Sequence, residues 1–102
     1  MLTYKQAYTL AETWVRVCCG DGVQIVSDAV IKKPYGWIFF YQSSAFLASG
    51  DYRHALAGNL PILVDRMSYE IRATGRLLEE FLMKYEATLP KARLEVSLPS
   101  EP

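Results

Sequence analysis

The chain holds a single histidine, His54, and only two cysteines, Cys18 and Cys19, side by side. That scarcity excludes a good deal of chemistry. Adjacent cysteines rarely bridge one another, because the ring needs a cis peptide or strain. The pair reads as two reduced thiols near a helix end, one of them packed as a small hydrophobe. A metal site needs several ligands at suitable spacing, which one His and two contiguous Cys do not supply. An excess of one charge is missing too. Lys and Arg number 11, Asp and Glu 11, and the net charge is zero. A nucleic-acid binder's basic stripe is therefore absent, and no nucleic acid is expected as partner. No run of 18 apolar residues exists, so no membrane span or membrane partner is expected. The opening MLTYKQAYTLAETW carries Lys5 and Glu12 where a signal peptide would be apolar, and a cytoplasmic location is expected. Neither GxGxxG nor GxxxxGKS occurs, and no cofactor is expected.

Catalysis would have to rest on His54, in YRHALAG, with Asp51 three residues before it. Cys18 or Ser49 are conceivable nucleophiles by spacing. No nucleophile elbow or comparable motif supports either. The chain is read as a non-enzyme.

What is present is apolar and aromatic. Hydrophobic residues make up 51% of the 102, and aromatics 13%, with seven tyrosines. That length fits one domain with one core. Thr3 and Gln6 form a capping box. Behind it Tyr4, Ala7, Ala11, Trp14, Val15 and Cys18 recur at helical spacing as one apolar face, and Gly20-Asp21-Gly22 ends the helix. Residues 23–33 read as a strand bent near Ser27 and Asp28. Lys33-Pro34-Tyr35-Gly36 turns the chain. GWIFFYQS, residues 36–43, returns antiparallel. Ser43 or Ser44 caps a short helix, SAFLASG, and a loop with a further helical turn near Tyr52–Leu56 follows. PILVDR, residues 61–66, is a third strand and YEIRAT, residues 69–74, a fourth with one wet face. Leu78, Phe81, Leu82 and Tyr85 stripe a closing helix. The tail from residue 88 is either a loosely held segment or an edge strand through Leu94, Val96 and Leu98.

The fold class is therefore α+β: a four-stranded, largely antiparallel sheet, N-terminal and C-terminal helices packed on it, and a short helix and loop between strands two and three. Residues 1–87 form the domain and 88–102 the tail. Trp14, Trp37, Phe39, Phe40 and Phe81 are the expected core. GWIFFYQS is apolar at both parities, so both faces of that strand need cover. Both long helices are expected on one face, with Phe46, Leu47 and the loop through Leu56 closing the other.

The segment from Gly36 to Arg66 resembles a known family. Gly36, Trp37, Phe39, Phe40, Tyr41 and Ser43 match a G-W-x-F-F-Y-x-S block. Phe46, Leu47, Gly50 and Asp51 follow as F-L-x-[ST]-G-D. Leu56, Ala57, Gly58, Asn59, Pro61, Val64 and Asp65 match L-A-G-N-x-P-x-x-V-D. This order is similar to the bacterial immunity protein 35 family, which includes the YrhB-like proteins, over residues 3–87. Two positions depart from it. A D-x-x-x-G pattern carries glycine in the turn before the fourth strand, where Met67-Ser68-Tyr69 has none, so a type I′ turn, dominated by Gly or Asn, is not expected there. The family's Gly-Thr after that strand is Gly75-Arg76 here.

The resemblance implies a non-enzymatic protein that binds and neutralises a cognate toxin. A general chaperone-like binding role is the alternative, and a homodimer is possible through the sheet. The expected contact residues lie in and around the central loop: Asp51, Tyr52, Arg53, His54 and Asn59, with Asp65 and Arg66 on the strand that follows, since hot spots favour aromatics and arginine. The aromatic strand is then the scaffold for that loop.

Overall fold

In the computed structural model, which describes residues 1–56 and 60–94, Thr3 opens the first helix as expected. Its hydroxyl accepts the Gln6 amide while the Gln6 side chain accepts the Thr3 amide. The helix, α1, runs Tyr4–Cys19 and buries Ala7, Ala11 and Val15. Small residues on that stripe let it lie close to the sheet. Cys18 and Cys19 end it as free thiols, and both are exposed, so neither packs as a core residue.

The expected 23–33 strand is two short ones, β1 (Val23–Ile25) and β2 (Ile31–Lys33), broken across the predicted bend. GWIFFYQS answers the break. It divides at Phe40 into β3 (Gly36–Phe39) and β4 (Tyr41–Ser43). β4 pairs antiparallel with β1 as a two-stranded sheet, and β3 pairs with β2. The Val26 amide donates to the Phe40 carbonyl at the corner. One bent hairpin thus feeds two sheets. After β4 come α2 (Ser44–Ser49), capped by the Ser43 hydroxyl, and a 3-10 turn at Tyr52–His54. β5 (Ile62–Asp65) and β6 (Ile71–Ala73) complete an antiparallel four-stranded sheet in the order β2-β3-β5-β6. The chain ends with α3 (Leu78–Ala87) and a short helical turn, α4 (Lys91–Leu94). The edge-strand reading therefore fails for 91–94, which coil against the molecule, and it lies outside the described residues from 95 onward.

The parity of the aromatic strand is kept through its bend. Trp37, Phe39 and Tyr41 join Ile62 and Val64 in one core beneath α1. Ile38 joins Leu63 in a second, with Tyr35, Leu82 and Tyr85, and Phe40, Phe81, Leu89 and Leu94 pack against it. So α1 and α3 lie on opposite faces of the sheet, not on one. The expected cover from α2 is not found: Phe46 is half-buried, Leu47 is 41% exposed, and Leu56 packs on the α1 side. The helix spacing of residues 78–85 was legible, but nothing local says to which face it returns. Of the expected core, Trp37 and Phe39 are wholly buried, while Trp14, Phe40 and Phe81 sit half-buried at the margins.

The β5–β6 turn holds one left-handed residue, where a type I′ turn would need two in succession. Tyr69 adopts φ 67°, a conformation that costs a side-chain-bearing residue about 1 kcal/mol or more. Thr74, just past β6, is buried and donates its hydroxyl to the Pro61 carbonyl at 2.9 Å.

β3 and β5 are buried along their whole length, and their approach depends on Gly36. A Cβ there would stand 2.1 Å from the Val64 carbonyl oxygen. Gly36→Ala is expected to destabilise the protein by about 3 kcal/mol through forced separation of the two strands, read as a lower urea midpoint. An unchanged midpoint would show that the β3–β5 pair yields at no cost.

Candidate functional site

The loop singled out from the sequence is locally built. Gly50 closes α2 in the left-handed conformation, φ 71°, which glycine takes without strain. Asp51 then caps the 3-10 turn through the Arg53 amide at 2.9 Å. The same carboxylate grips the Arg53 guanidinium, with contacts of 2.7 and 3.0 Å to one oxygen. These bonds hold the Asp51 pKa below its usual range and the Arg53 pKa above its own. Exposed ion pairs of this kind contribute little to stability; here the pair sets the direction of Arg53. Tyr52 is 85% exposed, and its ring rests 5.6 Å from that of Phe46. His54 is exposed. Asp51 to His54 thus form one presented group on a short, locally hydrogen-bonded turn. Asn59 lies outside the described residues.

Asp65 and Arg66 do not join that group. They stand at the far end of β5, three and four residues, or about 10 and about 13 Å, along the strand from Ile62, and both are buried. Asp65 faces the α3 side. One carboxylate oxygen accepts the Met67 and Ser68 amides at 2.8 and 3.0 Å and the Arg93 guanidinium at 2.5 Å; the other accepts the Tyr85 hydroxyl. Burial alone would raise its pKa, but Arg93, Tyr85 and the two amides outweigh that and hold it down to about 2. The Tyr85 pKa is pushed up by burial and by the same bond. Nearby the Tyr35 hydroxyl donates to Glu86 at 2.6 Å, and burial with that bond raises its pKa. Arg66 faces α1. Its amide donates to the Tyr35 carbonyl, its carbonyl accepts the Leu2 amide, and its guanidinium carbon lies 5.8 Å from the Trp37 ring centre.

The single-sequence reading missed this Asp65–Tyr85–Arg93 cluster. A lone Asp after an apolar strand was a signal of sorts, being a good turn former. Its partners are 20 and 28 residues away, Tyr85 on the apolar stripe of the closing helix and Arg93 in the tail, and no spacing links either to Asp65. Among the described residues no cluster of three His, Cys, Asp or Glu is arranged to hold a metal ion, and no helix is long and apolar enough to cross a membrane.

These features define a small α+β domain that holds a sheet between two helical faces and carries an exposed aromatic and charged turn at Tyr52–His54. The chain belongs to the immunity protein 35 family, whose model matches residues 5–96. That span reaches past residue 87 and includes the α4 turn and Arg93. The uncharacterised protein YrhB of Escherichia coli (strain K12) is 33% identical over 88 residues, covering 84% of this chain and 90% of that protein. No solved structure matches significantly.

The Asp65 linkage has a definite sign. A carboxylate whose folded pKa is depressed, about 2 against 3.8, stabilises fully above 3.8 and loses that contribution as pH falls through 2. Asp65→Asn is expected to cost about 2 kcal/mol at neutral pH. Its deficit against the parent should shrink as urea titrations are moved from pH 4 toward pH 2. A deficit unchanged across that range would locate the effect outside the carboxylate's charge.

Proposed function

We propose that this protein is a cytoplasmic, non-enzymatic immunity protein that binds a cognate bacterial toxin and neutralises it by direct contact, as part of an effector–immunity pair. Membership of the immunity family supports the role. The observation that carries the contact surface is Tyr52, a large aromatic left 85% exposed on a scaffold held by three local interactions. Aromatic side chains with few torsions, backed by a rigid neighbour, are what interface hot spots are made of. Arg53 and His54 flank it as donors. Asp65 and Arg66, buried at the far end of β5, serve the fold and are left out of this surface.

The test is co-expression with the toxin encoded by the adjoining gene. The parent chain is expected to restore growth and to co-purify with the toxin as a stable complex. Tyr52→Ala should weaken that complex about tenfold or more, a loss of 1.4 kcal/mol or greater, with an unchanged melting temperature because the side chain is exposed. Rescue of unrelated aggregating proteins with no specific toxin complex would replace this reading with a chaperone-like one.

A further inference from the structure

A second surface stands at the other end of α1. A groove of about 530 Å³ opens between the first turns of that helix and the β5–β6 turn. Leu2, Leu10 and Tyr69 supply its apolar lining, with Thr3, Gln6 and Thr9 between them. The polar groups among these are already satisfied. Thr3 and Gln6 bond each other in the capping box, and the Thr9 hydroxyl donates to the Lys5 carbonyl at 3.1 Å. What the groove offers a partner is therefore apolar surface and charge.

That charge is positive. Lys5 lines the groove and forms no ion pair among the described residues. The first turn of α1 holds no acidic residue to offset the positive end of the helix. Arg66 lies below, 1% exposed, with Leu2 bonded to its carbonyl. Its guanidinium meets no carboxylate among the described residues; it reaches only the Pro34 carbonyl, at 3.5 Å, and its Nε has no acceptor. Trp37, whose ring it faces, is itself 6.0 Å from Tyr4 in the first turn. A buried charge without a counter-ion is felt further than one in water. The acidic groups of the turn do not answer it: Asp65 is turned to the opposite face, and Glu70 is paired with Arg72 at 3.2 Å.

Tyr69 singles this groove out. It stands 53% exposed in a left-handed conformation that glycine would adopt without strain. Its hydroxyl accepts from the Met1 amino group at 3.2 Å, an exposed contact that recovers little of the cost. Strain held at an exposed aromatic marks a position kept for something other than stability.

We propose that this groove seats an apolar segment of the toxin flanked by a carboxylate, with Tyr69 and Leu10 taking the apolar side chain and Lys5 the acid. This rests on the immunity reading above and adds a second contact. Ser44, where α2 begins, lies beside Val15, Arg16 and Asp21 toward the other end of α1 from the groove, so groove and Tyr52 loop are separate surfaces whose variants report independently.

The experiment measures affinity of the full chain for the adjoining gene's toxin, at low and high salt, with Tyr69→Gly and Lys5→Glu beside the parent. Tyr69→Gly is expected to raise Kd about tenfold while melting no lower than the parent, since strain is removed. Lys5→Glu is expected to slow association, with the difference shrinking at high salt. If the toxin binds both variants as it binds the parent, the groove is not a toxin contact, and the immunity reading stands without it. If binding is unchanged but the parent self-associates and Tyr69→Gly does not, a second copy is the occupant and the proposal fails. If the parent binds no toxin, both readings fall together.

Discussion

Two neighbouring strands buried on both faces govern everything else in this molecule. β3 and β5 run antiparallel, with a residue at position 36 that has no side chain where the strands come closest. Their odd and even positions are equally apolar, so a single helical layer cannot satisfy them. A chain of about a hundred residues has little material for two layers. It solves this by spending its N-terminal helix on one face and its C-terminal segment on the other. The family match extends to residue 96, consistent with the C-terminal turn being part of the same solution.

The Asp65 carboxylate follows from that arrangement. Once β5 is buried on both sides, the residue at its end is buried as well. A charge in that place is tolerated only with strong partners. It finds them in the following turn, in α3 and in α4, and so ties the last helical segments to the centre of the sheet. Its neighbour Arg66 points the other way, and among the described residues its guanidinium meets an aromatic ring and one distant carbonyl. Adjacent residues on a strand face opposite ways, so the obvious pairing between the two is geometrically closed.

Much of this was legible beforehand. The capping box at Thr3, the bend near Ser27, the Ser43 cap and the alternation through GWIFFYQS are local, and each is present. The candidate loop was also legible in part, because Asp51 and Gly50 have strong turn preferences. What escaped was assignment to faces and to burial. Asp65 and Arg66 have the composition of an interface and the position of a core, and composition was the only thing visible. Phe46 and Leu47 were apolar enough to be given a core role that α3 fills instead.

The sequence by itself determined the two long helices, the order of the helical and extended segments, the double-sided apolarity of the central strand and the family, since these depend on spacing within short segments. Only the tertiary structure decided that the two helices lie on opposite faces, that Asp65 closes on Tyr85 and Arg93, and that Tyr69 stands strained beside a cationic groove. Those outcomes depend on contacts between segments up to 68 residues apart, which no local pattern encodes.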